Sequence, residues 1–351
     1  MHQNLSSFRL CYLSRNYRNI TSSGNKAKTD NEQTLREMGA VCLGLPASYH
    51  PGKVTTFVLD LMGIVRYMGS VRRGDIIVLQ YPVKKYFSFV CRMAHLRGAR
   101  VIALIHDLGS MRRKKLTVSH EIERLMHADY VIASNATMQQ WLVEHGYQHP
   151  TGHLQLFDYR SNAVSSPRNG VASLPRLVYA GALAQRKNTF LLQMAAEAKE
   201  YQLVVYGNRD GLPSLKEGRH MKINGFMPPE EFIAGVEGEY GLVWDGDSLE
   251  SCTGAFGEYL RLNSPHKASF YLRAGLPLVV WSHSALAPIV ESEGIGLAID
   301  NIGQLNSLLP SLSPDHYRKL CENVGRVSHR LATGQYFREA LSEAIKTLTV
   351  G

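Results

Sequence analysis

A chain of 351 residues, 44% apolar and 20% charged, exceeds what one hydrophobic core organises and lies well outside disordered composition, so two folded domains are expected. Its formal charge of +9 is uneven: residues 1–160 carry 21 Lys/Arg against 11 Asp/Glu, while residues 161–351 carry 18 against 19. Five cysteines (Cys11, Cys42, Cys91, Cys252, Cys321) form no Cys-x-x-Cys pair, which supports neither a disulfide framework nor a zinc site and fits a reducing cytoplasm.

The opening MHQNLSSFRLCYLSRN lacks the basic-then-apolar order of a signal peptide. The longest apolar stretch, Val54 to Met68, is interrupted by Asp60 and Arg66, so no membrane span is expected. Short apolar runs then alternate with segments of helical period, the pattern of parallel strands joined by crossover helices. Strands are expected at Phe8–Leu13, Val41–Leu45, Asp75–Gln80, Arg100–Ile105, Tyr130–Ser134 and His153–Phe157. Between them, Val118–Ala128 reads as a helix with Ile122, Leu125 and Met126 on its apolar stripe and Glu121, Glu123 and Arg124 elsewhere. The aperiodic SNAVSSPRNGVASL reads as a linker over 161–175 and a hinge between domains. The pattern restarts with strands at Arg176–Ala180, Gln202–Tyr206, Met221–Ile223, Tyr240–Trp244, Pro277–Trp281 and Leu297–Ile299. A helical tail runs from Asp315, breaks near Gly334 and resumes at Gln335. The expected architecture is α/β with two Rossmann-like domains, residues 1–160 and 176–334, whose parallel sheets face a cleft; helix 335–351 is expected to return to the first domain.

Ligands of open α/β sheets bind beyond the carboxyl ends of strands, so the residues after each strand are the ones to weigh. RLVYA runs into GALAQRKN, where Arg186 and Lys187 near a helix start suit a diphosphate, or are two solvated cations. In LNSPHKASFYLRAGLPLVVW, Asn263 or Ser264 caps a helix, Pro265 occupies its first turn, and His266, Lys267 and Ser269 offer donors to an anion. Gly207 and Gly225 would let a base or ribose approach the backbone, with Phe226 as a stacking surface, although turn glycines are common. WDGDSLESCTGAFGEY, residues 244–259, reads as a mobile lid or an irregular loop.

In the first half, SSGNKAKTDN reads as a glycine-rich turn leading into a helix, without either nucleotide fingerprint. HDLGSMRRKK places His106 and Asp107 where a base would stand, followed by the cations Arg112–Lys115. The structural alternative for His106 is a strand-end histidine bonded to backbone. The basic half fits an anionic membrane surface or a lipid-linked acceptor, and equally a solvated face.

Taken together, GNKAKTD, DIIVLQYP, VIALIHDLGSMR, ADYVIASNATMQQWLVEHG, LQLFDY, VYAGAL, YGLVWDG, YLRLNSPHKASFYLRAGLPLVVW and GIGLAI resemble bacterial glycosyltransferases of GT-B fold over nearly the whole chain. That group includes glucosyltransferases of streptococcal serine-rich adhesins and β-1,6-galactofuranosyltransferases of O-antigen assembly. The resemblance implies transfer of a hexose from a UDP-sugar to a carbohydrate acceptor, with inversion, without metal or cofactor, in a self-associating protein; the cysteines and the basic half add the expectation of a cytoplasmic protein, or one peripheral at the inner membrane face with a lipid-linked glycan acceptor. It places UDP on the second domain, with Arg186 and Lys267 at the diphosphate and Ser23, Gly24, Asn25 and Lys26 approaching from the first. Asp245-Gly-Asp247 has D-x-D spacing but lies in the acidic loop, and Ser134 stands where many relatives carry histidine.

Charge developing on the leaving diphosphate would be met by Lys267 and Arg186. Asp107 or His106 would take the acceptor proton, with Asp30 and Asp158 in reserve, Asp158 being expected to face the cleft. Two rival readings are a UDP-sugar 2-epimerase, which needs clustered carboxylates, and a non-catalytic carbohydrate- or nucleotide-binding protein; the scattered cations disfavour nucleic acid.

Overall fold

The computed structural model describes residues 8–18, 23–83, 86–112, 116–168 and 170–350. The chain divides into two compact units, residues 1–158 with 334–351, and residues 159–333. Unit 1 runs β1 (Leu10–Tyr12), α1 (Ser23–Glu37), β2 (Val41–Cys42), α2 (Lys53–Ser70), β3 (Ile76–Tyr81), α3 (Phe87–Leu96), β4 (Arg100–Ile105), α4 (Gly109–Arg112), α5 (Val118–Leu125), β5 (Tyr130–Ala133), α6 (Ala136–Glu144) and β6 (Thr151–His153). Unit 2 runs β7 (Arg176–Ala180), α7 (Gln185–Asn188), α8 (Phe190–Glu197), β8 (Gln202–Tyr206), β9 (Met221–Gly225), α9 (Pro229–Gly235), β10 (Tyr240–Val243), α10 (Gly254–Tyr259), α11 (His266–Arg273), β11 (Leu278–Trp281), α12 (Ala287–Glu293), β12 (Gly296–Ile299), α13 (Leu305–Ser311) and α14 (Pro314–Thr333). Helix α15 (Gln335–Val350) belongs to unit 1.

Both sheets are six-stranded, in the orders β2-β1-β3-β4-β5-β6 and β12-β11-β10-β7-β8-β9, and every pairing between strands is parallel. β3 and β4 are buried along almost their whole length, which is why they read as continuous apolar runs. Successive side chains still serve opposite faces: Ile76 and Val78, Ile102 and Leu104, Tyr130 and Ile132 all join the core that receives Phe337, Leu341, Ala344 and Leu348 of α15.

Four local expectations are corrected. The last strand of unit 1 is Thr151–His153, in register with Val131, Ile132 and Ala133, and not His153–Phe157. Gln155 takes φ of 79°, a left-handed turn that ends extended pairing and swings Leu156 and Phe157 into the core. Glu121 of α5, expected off the buried apolar stripe, is fully buried as well and accepts from Tyr81 Oη at 2.8 Å, Gly109 N at 2.8 Å, and Ser110 N and Oγ at 2.8 and 2.5 Å. In the acidic stretch 244–259 the irregular loop is found only over 244–253, where Trp244 Nε1 donates to Ser248 O at 3.0 Å and Ile302 N to Leu249 O at 2.8 Å, while Gly254–Tyr259 is helical.

The fourth correction concerns the segment that composition marks as a hinge. Arg168 donates to Val236 O, Gly238 O and Ala274 O at 3.1, 2.7 and 2.7 Å, and Arg273 to Ser161 O and Ala163 O at 2.9 and 2.8 Å. Burial lowers the pKa of both guanidiniums, and carbonyl dipoles supply much of the solvation that water would have given. Residues 161–168 are thereby bound onto unit 2. The chain crosses between units at Asp158–Tyr159 and Thr333–Gly334.

Asp158, expected to face a cleft, is 1% exposed and holds the start of α15 instead, accepting from Phe337 N at 2.8 Å and Tyr336 N at 3.3 Å. Its removal leaves buried amides without their acceptor, a cost of about 1–3 kcal/mol for such a group. Asp158→Ala is expected to lower the unfolding free energy of unit 1 in urea by that amount without altering ligand binding to unit 2. Unchanged stability with lost turnover would restore Asp158 to the list of bases.

Candidate functional site

In unit 2 the strand order reverses between β7 and β10, the switch point where open sheets leave a crevice beyond their carboxyl ends. Gly181 leaves β7 at φ of 145°, a conformation that side chains rarely adopt, and a Cβ there would lie 3.6 Å from Lys267 Cε. Gly207, after β8, is closed in by backbone: a Cβ would fall 2.3 Å from Gly181 O, and its amide donates to Gly225 O at 2.7 Å. At this position glycine therefore serves strand packing.

Lys267 lies in the first turn of α11 and sets its ammonium 3.7 Å from the centroid of the Tyr179 ring. Tyr179 Oη donates to Asp245 Oδ1 at 3.3 Å and accepts from Asn188 Nδ2, whose Oδ1 accepts from Ala184 N at 2.9 Å. Tyr271 Oη accepts from Ala180 N at 2.6 Å. Burial pushes the Lys267 amine down to about 7; Asp245 pulls it back up, and Lys187 presses it further down. Between about 7 and its ordinary 10.5 the unfolded chain holds the extra proton, so this amine makes stability rise with pH across that window. An anion placed beside Lys267 and Lys187 would restore the proton. A negatively charged group placed at this helix start would be favoured.

The remaining residues of the expected donor site divide. Lys187 is electrostatically coupled to Lys267, whereas Arg186 stacks its guanidinium 4.9 Å from the Phe256 ring centroid on α10. Gly225 ends β9 at φ of 69° and Phe226 beyond it is 65% exposed, two strands away from β7. Helix α11 begins at His266, with Pro265 in extended conformation at its N-cap. Asn263 Oδ1 and Ser269 Oγ are buried without a hydrogen-bond partner. The His266 ring stacks on Tyr159 at 4.8 Å. Tyr179 was not singled out from the sequence, and Asp245 was set aside with the acidic loop; the signal was a buried tyrosine within a strand and the first carboxylate after the strand beside it. Asp247 is exposed and accepts from Thr253 Oγ1 at 2.5 Å.

In unit 1 the chain reverses between β1 and β3. Gln80 near the end of β3 donates to Lys28 O at 3.0 Å, so its Oε1 is the acceptor facing His106 Nε2 at 2.9 Å and Asn31 Nδ2 at 3.2 Å. His106 thus donates from Nε2 to Gln80, with its ring stacked on Phe157 at 5.1 Å. Asp107 has both oxygens on Arg112 Nη1, at 2.6 and 2.5 Å. Arg113, Lys114 and Lys115, the other cations of that cluster, lie outside the described residues.

Ser23, Gly24 and Asn25 are the first turn of α1 and not a loop, since α1 starts at Ser23; Ser22 and the Ser23 side chain lie outside the described residues. Lys26 pairs with Asp30 at 2.5 Å, one helical turn on, so each holds the other's charge. Ser134 is buried and its Oγ faces Met138 Sδ at 3.4 Å, while Asn135 caps α6 through Met138 N at 2.9 Å. A cluster that the sequence reading missed follows β1: Ser14 Oγ and Tyr17 Oη donate to Glu32 at 2.8 and 2.5 Å, and Asn16 bonds His50 O and Thr56 Oγ1, both at 2.8 Å. Burial raises the pKa of Glu32 and of Tyr17.

Comparison with known proteins sets these features in a family. The glucosyltransferase 3-like N-terminal domain matches residues 10–156, and the glucosyltransferase 3-like C-terminal domain matches residues 177–344. The β-1,6-galactofuranosyltransferase WbbI of Escherichia coli (strain K12) is 30% identical over 303 residues, 85% of this chain and 87% of that protein. Glucosyltransferase 3 of Streptococcus gordonii is 22% identical over 285 residues, 79% of this chain and 81% of that one. The solved lipopolysaccharide outer core galactosyltransferase WaaB aligns with a TM-score of 0.59 at 11% identity, over 96% of this chain and 99% of that chain. WaaG, a glycosyltransferase involved in lipopolysaccharide biosynthesis, aligns with a TM-score of 0.52 at 11% identity, over 97% and 100%. The two Rossmann-like units share the GT-B fold of these structures, and the chain, matched across both domains, belongs to the glucosyltransferase 3-like family of glycosyltransferases.

Proposed function

We propose that the protein transfers a hexose (galactofuranose, galactose or glucose) from a UDP-sugar to a carbohydrate acceptor during assembly of a polysaccharide or glycoprotein glycan, with inversion and with protein cations at the leaving diphosphate. The names of its relatives support glycosyl transfer of this kind. The single observation that carries the donor assignment is the Lys267 amine at the β7/β10 switch point, held over Tyr179 and depressed to about 7 by burial. When the sugar–phosphate bond breaks, negative charge collects on the departing diphosphate, and a cation fixed in a poorly hydrated site stabilises that charge more than it stabilises the bound donor. Lys187 adds to the same field. Arg186 is the weaker candidate in this conformation because it lies on Phe256. Asp245 offers an acceptor for a sugar or ribose hydroxyl rather than for the phosphates.

For the acceptor proton, unit 1 presents His106 more readily than Asp107. Gln80 holds the histidine by its Nε2, which in the neutral ring would make Nδ1 the basic atom, whereas the aspartate would first have to leave Arg112.

Three measurements test this reading. Calorimetry with UDP, ADP and GDP is expected to show selective binding of UDP, weakened about ten- to hundredfold by Lys267→Met, the loss of one charge-assisted contact; a folded protein that ignores UDP would sink the donor assignment. Protonated Lys267 is the binding form, so affinity for a UDP-hexose should be full below pH 7 and about tenfold weaker at pH 8 than at pH 6, with no such step in Lys267→Met. The diphosphate of a UDP-hexose is a diester whose own charge is constant in that range, so a step surviving in the variant would clear Lys267 of the role. With a competent acceptor, His106→Ala should lower kcat by about 10²- to 10⁴-fold at unchanged UDP affinity, and Asp107→Asn by less than about tenfold; the reverse ranking would make Asp107 the base.

A further inference from the structure

Helix α2 wears its amphipathicity inside out. The side turned into unit 1 carries Thr56, Gly63, Ile64 and Tyr67, all buried, with Thr56 accepting from Asn16 Nδ2 and Tyr67 donating to Val90 O at 3.0 Å. The outward side carries Val54, Phe57, Val58, Leu61, Met62 and Val65, which recur at steps of three, one, three, one and three. That is the spacing of a core-facing stripe, yet Val54 is 78%, Met62 53% and Val65 62% exposed. The row runs about 16 Å along the axis. A contiguous apolar patch of this kind marks a surface that something covers.

The charges around the stripe say what covers it. Between Lys53 and Arg73 the sole carboxylate is Asp60, and it is turned inward to accept from Asn16 N at 3.2 Å. The exposed charges at the ends are cations: Lys53 and Arg18 at the first turn, where Arg18 donates to Pro51 O at 2.8 Å, and Arg66, Arg72 and Arg73 at the last. Two copies of this chain meeting through α2 in a two-fold, antiparallel pair would set these like charges against each other. An anionic lipid surface answers both features, receiving the apolar row at the acyl boundary and the cations at the headgroups. With its opposite side buried in unit 1, α2 can lie in such an interface, and among the described residues no helix is long and apolar enough to cross a membrane.

We propose that the outward face of α2, with the cations at its two ends, docks this protein on an anionic lipid bilayer. The inference stands independently of the donor assignment in unit 2, and docking there would bring the enzyme to acceptors anchored in lipid.

The test is co-sedimentation of the full chain with vesicles of equal parts phosphatidylethanolamine and phosphatidylglycerol, against vesicles of phosphatidylcholine, with light scattering of the lipid-free protein alongside. The protein is expected to pellet with the anionic vesicles, to be released by salt, and to lose at least about tenfold in partitioning in both Val58→Glu/Met62→Glu and Arg72→Glu/Arg73→Glu. Should the glutamate pair fail to fold, Phe57→Trp reads the same contact through a blue shift of emission on adding anionic vesicles. No partitioning of the wild-type protein, or partitioning with unshifted emission, would overturn the proposal. So would an oligomer that Val58→Glu/Met62→Glu converts to monomer without any vesicle binding, which would assign the face to a second copy.

Discussion

A parallel sheet sends every strand to the same edge and buries both of its faces, so the polar residues a fold can offer to a ligand are gathered where the strands end. Everything of chemical interest in this protein follows from that constraint, imposed once in each unit. The exits of β7 and β10 collect Gly181, Asp245, Asn188 and Lys267 around Tyr179, and the exits of β1, β3 and β4 collect Asn16, Gln80, His106 and Asp107. Loops at such an edge would wander unless fixed. Here they are fixed by buried carboxylates and amides, Glu121 holding the start of α4 and Asn16 the approach to α2.

The electrostatics of the two edges differ in kind. In unit 1 the carboxylates are answered locally, Asp30 by Lys26 and Asp107 by Arg112, and the imidazole of His106 is held by Gln80. In unit 2 a buried amine faces an aromatic ring, with a carboxylate on one side and a second lysine on the other. On the proposed reading the first arrangement would accept a proton, and the second would gain when an anion arrives.

Strand positions were legible because parallel strands buried on both faces are nearly continuous apolar runs: Arg100–Ile105, Arg176–Ala180 and Gln202–Tyr206 were readable to the residue. The failures share a cause. Glu121 and Asp158 are charged residues whose burial depends on amides contributed from 11 and about 180 positions away, and no periodicity records such a partner. The Ser23–Asn25 turn was misread because its glycine suggested a loop, yet a Cβ at Gly24 would meet nothing within 4 Å among the described residues, and the helix begins at Ser23. Lys267 was legible from its place at a helix start, while Tyr179 was hidden inside a strand whose other residues only pack.

Helix α15 has a bearing on how the chain is made. Unit 1 is interrupted in sequence: its sheet is built from residues before 159, but the helix that fills one side of its core follows unit 2. As a ribosome delivers the chain from its N-terminus, the strands of unit 1 emerge first and wait, with Tyr130, Ile132 and Phe157 lacking their partners, while all of unit 2 is synthesised and can close. The later-starting unit is the first to be complete, and a chaperone attending this protein would find its work at the front half of the nascent chain.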